Sequence, residues 1–300
     1  MLNIMKSVKG RDRMLVDDQG LYLNRKINWR KAFCLIAFLT FFLLQVQVLH
    51  AEGSDVERVT WWVAADTHIG HSSEPSLGHH LATAVADVNN LGIADYAVIL
   101  GDLVEDDYAY SIPFVQLMNQ LDINWTYVLG NHDFDTETHE PVLPVHFSSR
   151  TVLGIRFIFL SDELTGYRNR DLVMSREQEE WFWEELETHK DKPIFIFSHQ
   201  PHPEFQRWPQ LKEKLDDFNI AAWVSAHKHN WNMNKQTEFG FAQINIHSIG
   251  GVRADYLSTF LDLERKGDTV MVTVRYRNHE SEEWIEVDGK YEFSFVIDMQ

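Results

Sequence analysis

Short apolar runs recur along the chain, and each stops at polar residues: VTWWVAADTH (59–68), YAVILGD (96–102), WTYVLGNHD (125–133), IRFIFLSDE (155–163), PIFIFSHQPH (193–202) and IAAWVSAHKHN (220–230). They are rich in β-branched and aromatic residues and lack the strict alternation of a half-exposed strand. That pattern predicts strands buried on both faces. Between them, His79 to Leu91 (HHLATAVADVNNL) is amphipathic at helical spacing. Ser175, followed three residues later by Gln178, opens SREQEEWFWEELETHK with a helix-capping signature. A shorter helix is predicted over Leu211 to Phe218. Strand alternating with helix implies an α/β architecture in which helices cover the sheet.

The last third changes period. FAQINIHSIGG (241–251), STFLDLERKGDTVMVTVRYRN (258–278) and KYEFSFVIDM (290–299) alternate apolar with polar residues, and Lys266-Gly267-Asp268 supplies a hairpin turn. The expectation is a second, antiparallel sheet packed on the first, giving two sheets face to face with helices outside. No internal repeat, linker or low-complexity tract interrupts the chain after Glu57.

Composition separates the N-terminal part from the rest. Ala32 to Leu44 (AFCLIAFLTFFLL) is uncharged, follows Arg25, Lys26, Arg30 and Lys31, and precedes the small residue Ala51. The run is shorter than the ~20 apolar residues of a spanning helix and fits a secretory signal better. Residues 1–51 are therefore read as a leader with a signal peptide or membrane anchor, and residues 52–300 as the folded domain. The expected location is secreted or periplasmic. The alternative is an uncleaved anchor holding the domain outside the cytoplasm, the one case in which a membrane is a partner. Cys34, the only cysteine, lies in the apolar run, so 52–300 has neither disulfide nor thiolate chemistry.

Charge narrows the partners. The whole chain carries −18, and the part after residue 51 carries 19 Lys/Arg against 42 Asp/Glu, or −23. Nucleic acid is thereby disfavoured, because its backbone is met by clustered Lys and Arg. A small anion drawn by local metal charge is compatible with this balance.

Chemistry gathers where the runs end. The terminal residues are Asp66-Thr67-His68, Gly101-Asp102, Gly130-Asn131-His132-Asp133, Ser198-His199 and Ala226-His227-Lys228-His229. Parallel strands align their carboxyl ends along one edge, so residues distant in sequence converge there. In extended chain, residues i and i+2 point the same way, which pairs Asp66 with His68 and His227 with His229. Taken singly, each aspartate reads as a turn or cap, Asn131 as a turn former, and each histidine as a hydrogen-bonded strand end. Together, imidazole, carboxylate and amide donors without thiolate suit Zn, Mn or Fe. Four histidines, two aspartates and an asparagine exceed one tetrahedral ion, whereas two ions sharing a carboxylate use all of them.

In this order and spacing, D-x-H, G-D, G-N-H-D, a histidine and x-H-x-H, the chain resembles the calcineurin-like metallophosphoesterases over roughly residues 57 to 250. Ala226 departs from the usual glycine of the last motif. Glu105 stands where many relatives carry an acid. Retention of His68 sets the chain apart from purple acid phosphatases. The resemblance implies one metal on Asp66, His68 and His229, a second on Asn131, His199 and His227, and Asp102 bridging them. It implies that His132 is a non-ligand histidine that contacts the phosphoryl group or protonates the leaving group, with Asp133 orienting its ring. The implied cofactors are two divalent or mixed-valence transition metal ions (Mn, Fe, Zn or Co). The implied activity is hydrolysis of a small phosphate mono- or diester by metal-activated water or hydroxide. The fold class expected is then α/β: two mixed β-sheets packed face to face with flanking helices, a four-layer αββα sandwich. A non-catalytic metal-binding protein of the same fold, or a nuclease of the same superfamily, is the competing reading.

Other residues receive weaker assignments. His71, His79 and His80 read as surface histidines of the loop after the first motif. His202 and His247 are open to a substrate-facing role. Asp162 and Glu163 either support the ligands or cap the next loop. Residues 69–80, 134–147 and 200–209 are expected to form much of the rim, and they carry no arginine cluster for a second phosphate.

Overall fold

Alternation within the first strand sets the layering. In β1 (Val56–Ala64), Trp61 and Val63 turn to one side and Trp62 and Ala64 to the other, and all four are buried. A strand that hides both faces needs a layer on each. The computed structural model describes residues 56–163, 172–200, 213–234, 240–250 and 256–299, and the leader at 1–51, His202 and most of the 200–209 rim lie outside them.

The first sheet runs in parallel from β1 through β2 (Tyr96–Leu100) to β3 (Asn124–Val128). The second places β5 (Ile155–Leu160), β6 (Ile194–Ser198), β7 (Ile220–Ser225) and β9 (Ala242–Asn245) in parallel. Antiparallel β4 (Ser148–Val152) and β8 (Asn232–Asn234) edge it. The six apolar runs are thus divided between two mixed sheets, three in each.

The C-terminal strands do not form a sheet of their own. β10 (Leu257–Lys266) pairs antiparallel with β1, with Trp62 opposite Phe260 and Trp61 opposite Leu261. β11 (Thr269–Asn278), β12 (Glu283–Ile285) and β13 (Glu292–Asp298) continue outward from it. The physical reason is that β2 occupies only one side of β1, and the free edge takes the hairpin whose alternation matches. The hairpin turns at Gly267-Asp268 as predicted, with Lys266 opposite Thr269.

Three cores separate four layers. Between the sheets, Trp61, Val63, Val98 and Leu100 meet Phe157, Phe159, Phe195 and Phe197. Outside the first sheet, Trp62, Ala64, Ala97 and Ile99 meet Leu81, Ala84 and Val88 of α1 (His79–Leu91) and Phe114 and Met118 of α2 (Ser111–Met118). Outside the second, Ile158, Ile194 and Ile196 meet Phe182 and Leu186 of α3 (Arg176–Thr188). The cap of α3 is the predicted one, with the Ser175 hydroxyl accepting from Gln178 N at 3.1 Å. The sequence pattern did not predict α2 or the edge strands β4, β8 and β12, which are short and contribute little periodicity.

The ring of Phe157 lies at the centre of the inter-sheet core, 5.2 Å from Trp61 and 5.5 Å from Phe197 between ring centroids. Phe157→Ala is expected to cost about 3–5 kcal/mol, read as a lower denaturant midpoint. A loss below about 1 kcal/mol would mean that the sheets do not depend on this stack.

Candidate metal centre

The motif residues sit in turns whose shape is held by backbone pairing. Asp66 N donates to Gly101 O at 3.0 Å and His68 N to Asp102 O at 2.9 Å, so the turns after β1 and β2 run side by side. Ala226 N donates to His199 O at 2.7 Å and joins the turns after β6 and β7 in the same way. Asp66 (φ 52°), His68 (φ 43°), Asp102 (φ 48°), His227 (φ 66°) and His229 (φ 53°) all adopt left-handed backbone, which non-glycine residues enter at a cost. The extended-chain argument for i and i+2 pairs therefore does not describe these motifs. Asp66 and His68 do share a group, but through a left-handed turn, and His227 and His229 fall into different groups. Ala226 is absent from the left-handed set, so alanine is unstrained there.

Gly130 acts through proximity rather than through unusual φ. A Cβ there would lie 2.5 Å from Asp102 N and Oδ1 and 2.7 Å from His199 Cδ2. At Gly101 (φ 70°) it would lie 2.6 Å from His199 Cβ. The backbone thus closes directly onto the two residues at the centre of the constellation.

Two groups of donor atoms converge. Asp66, His68, Asp102 and His229 each place a ligand atom within 4.8 Å of the others, as do Asp102, His199 and His227. Asp102 belongs to both, with Oδ2 3.5 Å from His68 Nε2 and 3.1 Å from His199 Nε2. Asn131 Oδ1 lies 3.2 Å from His199 Nε2, which adds the amide to the second group.

For His199 and His68, neighbours fix which nitrogen the ring offers. His199 Nδ1 donates to Leu100 O at 2.8 Å, and His68 Nδ1 faces Glu105 Oε2 at 2.7 Å. A proton held on Nδ1 leaves the Nε2 lone pair facing the group, as a metal-bound imidazole requires. His68 Nε2 and His229 Nε2 stand 3.4 Å apart. Asp66 is fully buried and neither of its carboxylate oxygens accepts a hydrogen bond, although His229 Nε2 is 3.1 Å from Oδ1. A buried carboxylate without donors is costly unless a cation meets it. The donor set and this orphaned acid fit a pair of transition metal ions.

Electrostatics follow the same grouping. Burial opposes the charge on Asp102, but His199, His68 and His132 hold its pKa well below the usual carboxylate range. Burial would lower the pKa of His199; Asp102 and Asp66 raise it to about 10 in the metal-free chain. Burial and the neighbouring His199 bring His227 down to about 4, leaving a neutral ring.

His132 is positioned differently from the resemblance-based expectation. Asp133 does not orient its ring. The Asp133 carboxylate is fully buried and accepts backbone N–H groups from Leu103 (2.7 Å), Val104 (3.1 Å) and Gly130 (2.7 Å), so it holds two turns together. Burial and the nearby Asp102 raise its pKa to about 7, against the pull of the Gly130 and Val104 amides. The carboxylate at the ring is Asp106, whose Oδ1 lies 3.0 Å from His132 Nδ1, with Glu105 Oε1 at 3.9 Å. Burial opposes protonation, but Asp106 and Asp102 raise the His132 pKa to about 9. Asp106 was missed in the sequence; its signal is the acidic Glu105-Asp106-Asp107 directly after the G-D motif. The His132 backbone N also donates to Asp102 Oδ1 at 2.8 Å.

The weaker candidates resolve in several ways. Glu105 supports His68 directly. Asp162 is buried and accepts from Val173 N at 2.9 Å, while burial raises its pKa to about 8. Glu163 accepts from Ser175 Oγ at 2.8 Å, near the start of α3. His247 is buried with its ring 5.9 Å from that of Tyr276. His80 is not a surface residue but is buried, whereas His71 and His79 are partly exposed.

Comparison with known proteins gives a family and a fold. The family described as calcineurin-like phosphoesterase matches residues 59–231. A dimetal phosphatase from Danio rerio shares the fold at 13% identity and a TM-score of 0.57, covering 81% of this chain and 99% of its own. Vps29 from Chaetomium thermophilum aligns at 14% identity and a TM-score of 0.39, covering 80% of this chain and 98% of its own. No curated protein sequence matches the chain.

In the metal-free protein His132 is expected to titrate near 9. Replacing Asp106 by Asn is expected to lower that pKa by at least about one pH unit, because burial then acts against a weaker counter-charge. Histidine-resolved NMR titration reads both values. An unchanged pKa in Asp106→Asn would remove Asp106 as the partner of this ring.

Proposed function

The chain belongs to the calcineurin-like phosphoesterase family, and from that membership we propose that it is a dinuclear-metal-dependent hydrolase of small phosphate mono- or diesters. The observation that carries the reading is Asp102, whose Oδ2 is shared between two convergent donor groups. Asp66, His68 and His229 would hold one ion, Asn131, His199 and His227 the other, and Asp102 both. Such ions, when bound, supply Lewis acidity toward phosphoryl oxygens and acidify water.

The chain's own residues supply the rest. With Asp106 at Nδ1, Nε2 is the His132 nitrogen free to give a proton to the leaving-group oxygen. Asp106 positions the ring and keeps it protonated near neutral pH. Glu105 and the Leu100 carbonyl hold His68 and His199 in the ring orientation that presents Nε2. The charge of −23 after residue 51 supports a small ester over a polynucleotide. Export directed by the apolar run at 32–44 is part of the reading, and it rests on the sequence.

The test is turnover of a chromogenic phosphate diester and its monoester by the full-length chain supplied with Mn. Activity toward at least one ester is expected, with none in Asp102→Asn. His132→Ala is expected to lose roughly 10²–10⁴-fold in kcat while keeping its metal content. No turnover of either ester by protein carrying both metals would favour the non-catalytic metal-binding alternative.

A further inference from the structure

A second cluster of metal-type donors lies outside the centre described above. His79 and His80 open α1, and Glu280 lies in the turn between β11 and β12. One ligand atom from each lies within 4.8 Å of the others. None of these residues belongs to the groups around Asp102.

His80 is the informative member. It is 3% exposed, and its Nδ1 is buried without a hydrogen-bond partner. A histidine in a core ordinarily has a donor or acceptor at such a nitrogen. Here the atom faces Glu280 Oε1 at 3.7 Å, too far for a hydrogen bond. Two ligands each about 2.0–2.1 Å from a tetrahedral ion stand roughly 3.3 Å apart. The separation is therefore closer to that of two atoms sharing an ion than to that of a bonded pair.

The surroundings hold the donors in place. The Tyr256 ring packs 4.5 Å from the His80 ring, and His79 meets His80 edge-on at 5.3 Å. Glu74 Oε2 accepts from Gly70 N at 3.2 Å and Gly78 N at 3.1 Å, while Oε1 is buried without a partner. This second acid also acts electrostatically on His80, so the pocket carries negative charge from two carboxylates. Burial lowers the His80 pKa, which keeps the ring neutral with a lone pair to give. The helix N-terminus opposes a cation, but only as a partial charge against two carboxylates and two imidazoles.

We propose that His79, His80 and Glu280 form a separate cation site matched to zinc, which ties the start of α1 to the β11–β12 turn. Two imidazoles and a carboxylate are a borderline-soft set that suits this ion, and three protein ligands leave a fourth position for water. The Glu280 side chain is 44% exposed, so the ion has a route in from solvent.

The test counts zinc. Full-length protein is loaded with zinc, dialysed against a micromolar-affinity chelator, and assayed for zinc per chain beside His80→Ala and Glu280→Ala. Each variant is expected to retain about one ion fewer than the parent, with unchanged circular dichroism and ester turnover within about twofold. That difference is independent of how many ions the Asp102 centre holds. Equal zinc in the parent and a folded Glu280→Ala variant overturns the site, since any extra ion is then adventitious. Should His80→Ala fail to fold, the exposed Glu280 decides the result alone.

Discussion

Buried carboxyl groups where the two sheets meet are the constraint on which the rest of the structure depends. Asp66, Asp102, Asp133 and Asp162 are all buried there. Each ionised carboxylate taken from water costs several kcal/mol unless something meets it. The chain answers differently for each acid. Asp133 takes three backbone N–H groups and Asp162 one, with burial raising their pKa values to about 7 and about 8, while Asp102 takes the His132 amide and the imidazole of His199. Asp66 accepts no hydrogen bond, with His229 Nε2 3.1 Å from Oδ1, and is the acid that a cation would relieve most.

A second cost is paid in backbone strain. Five donor residues sit in left-handed conformations at roughly 1–2 kcal/mol each, a sum comparable with the about 5–15 kcal/mol net stability of a typical protein. Aspartate and histidine tolerate this region better than most residues, which lessens the cost. What sustains the turns is the rigidity of the strands before them. β2, β6 and the final residues of β1 are buried along nearly their whole length, so the chain has no freedom to relax by shifting the strand.

This division explains what could be read in the sequence. Residue types and their order depend on covalent chemistry, and they pointed to the residues that the fold brings together, the strands that carry them and the cap of α3. Direction depends on three-dimensional contacts. The pairing of His227 with His199, rather than with His229, follows from left-handed turns that no apolar pattern encodes. Asp133 adjoins His132 in the chain whereas Asp106 precedes it by 26 residues, and only the route of the backbone tells which touches the ring. The C-terminal hairpin showed its alternation correctly, but alternation does not say which free edge a strand will join. His80 looked like a surface residue because Tyr256 and Glu280, which it meets in the fold, are far away in sequence.

The same contacts show why packing distant from the donors bears on them. Asp102 follows a strand of the first sheet and His199 a strand of the second, so their 3.1 Å contact crosses the seam between sheets. His199 Nδ1 to Leu100 O crosses it too, as does Leu129 N to the Ser161 hydroxyl at 2.9 Å. The stack of Trp61, Phe157 and Phe197 sets the spacing across that seam. Close-packed interiors transmit strain rather than absorb it, so a change of a few tenths of an ångström between sheets would arrive at the Asp102–His199 pair. Donor groups that span two sheets are thus only as well preorganised as the aromatic core between them, and in this protein the core and the site are one mechanical unit.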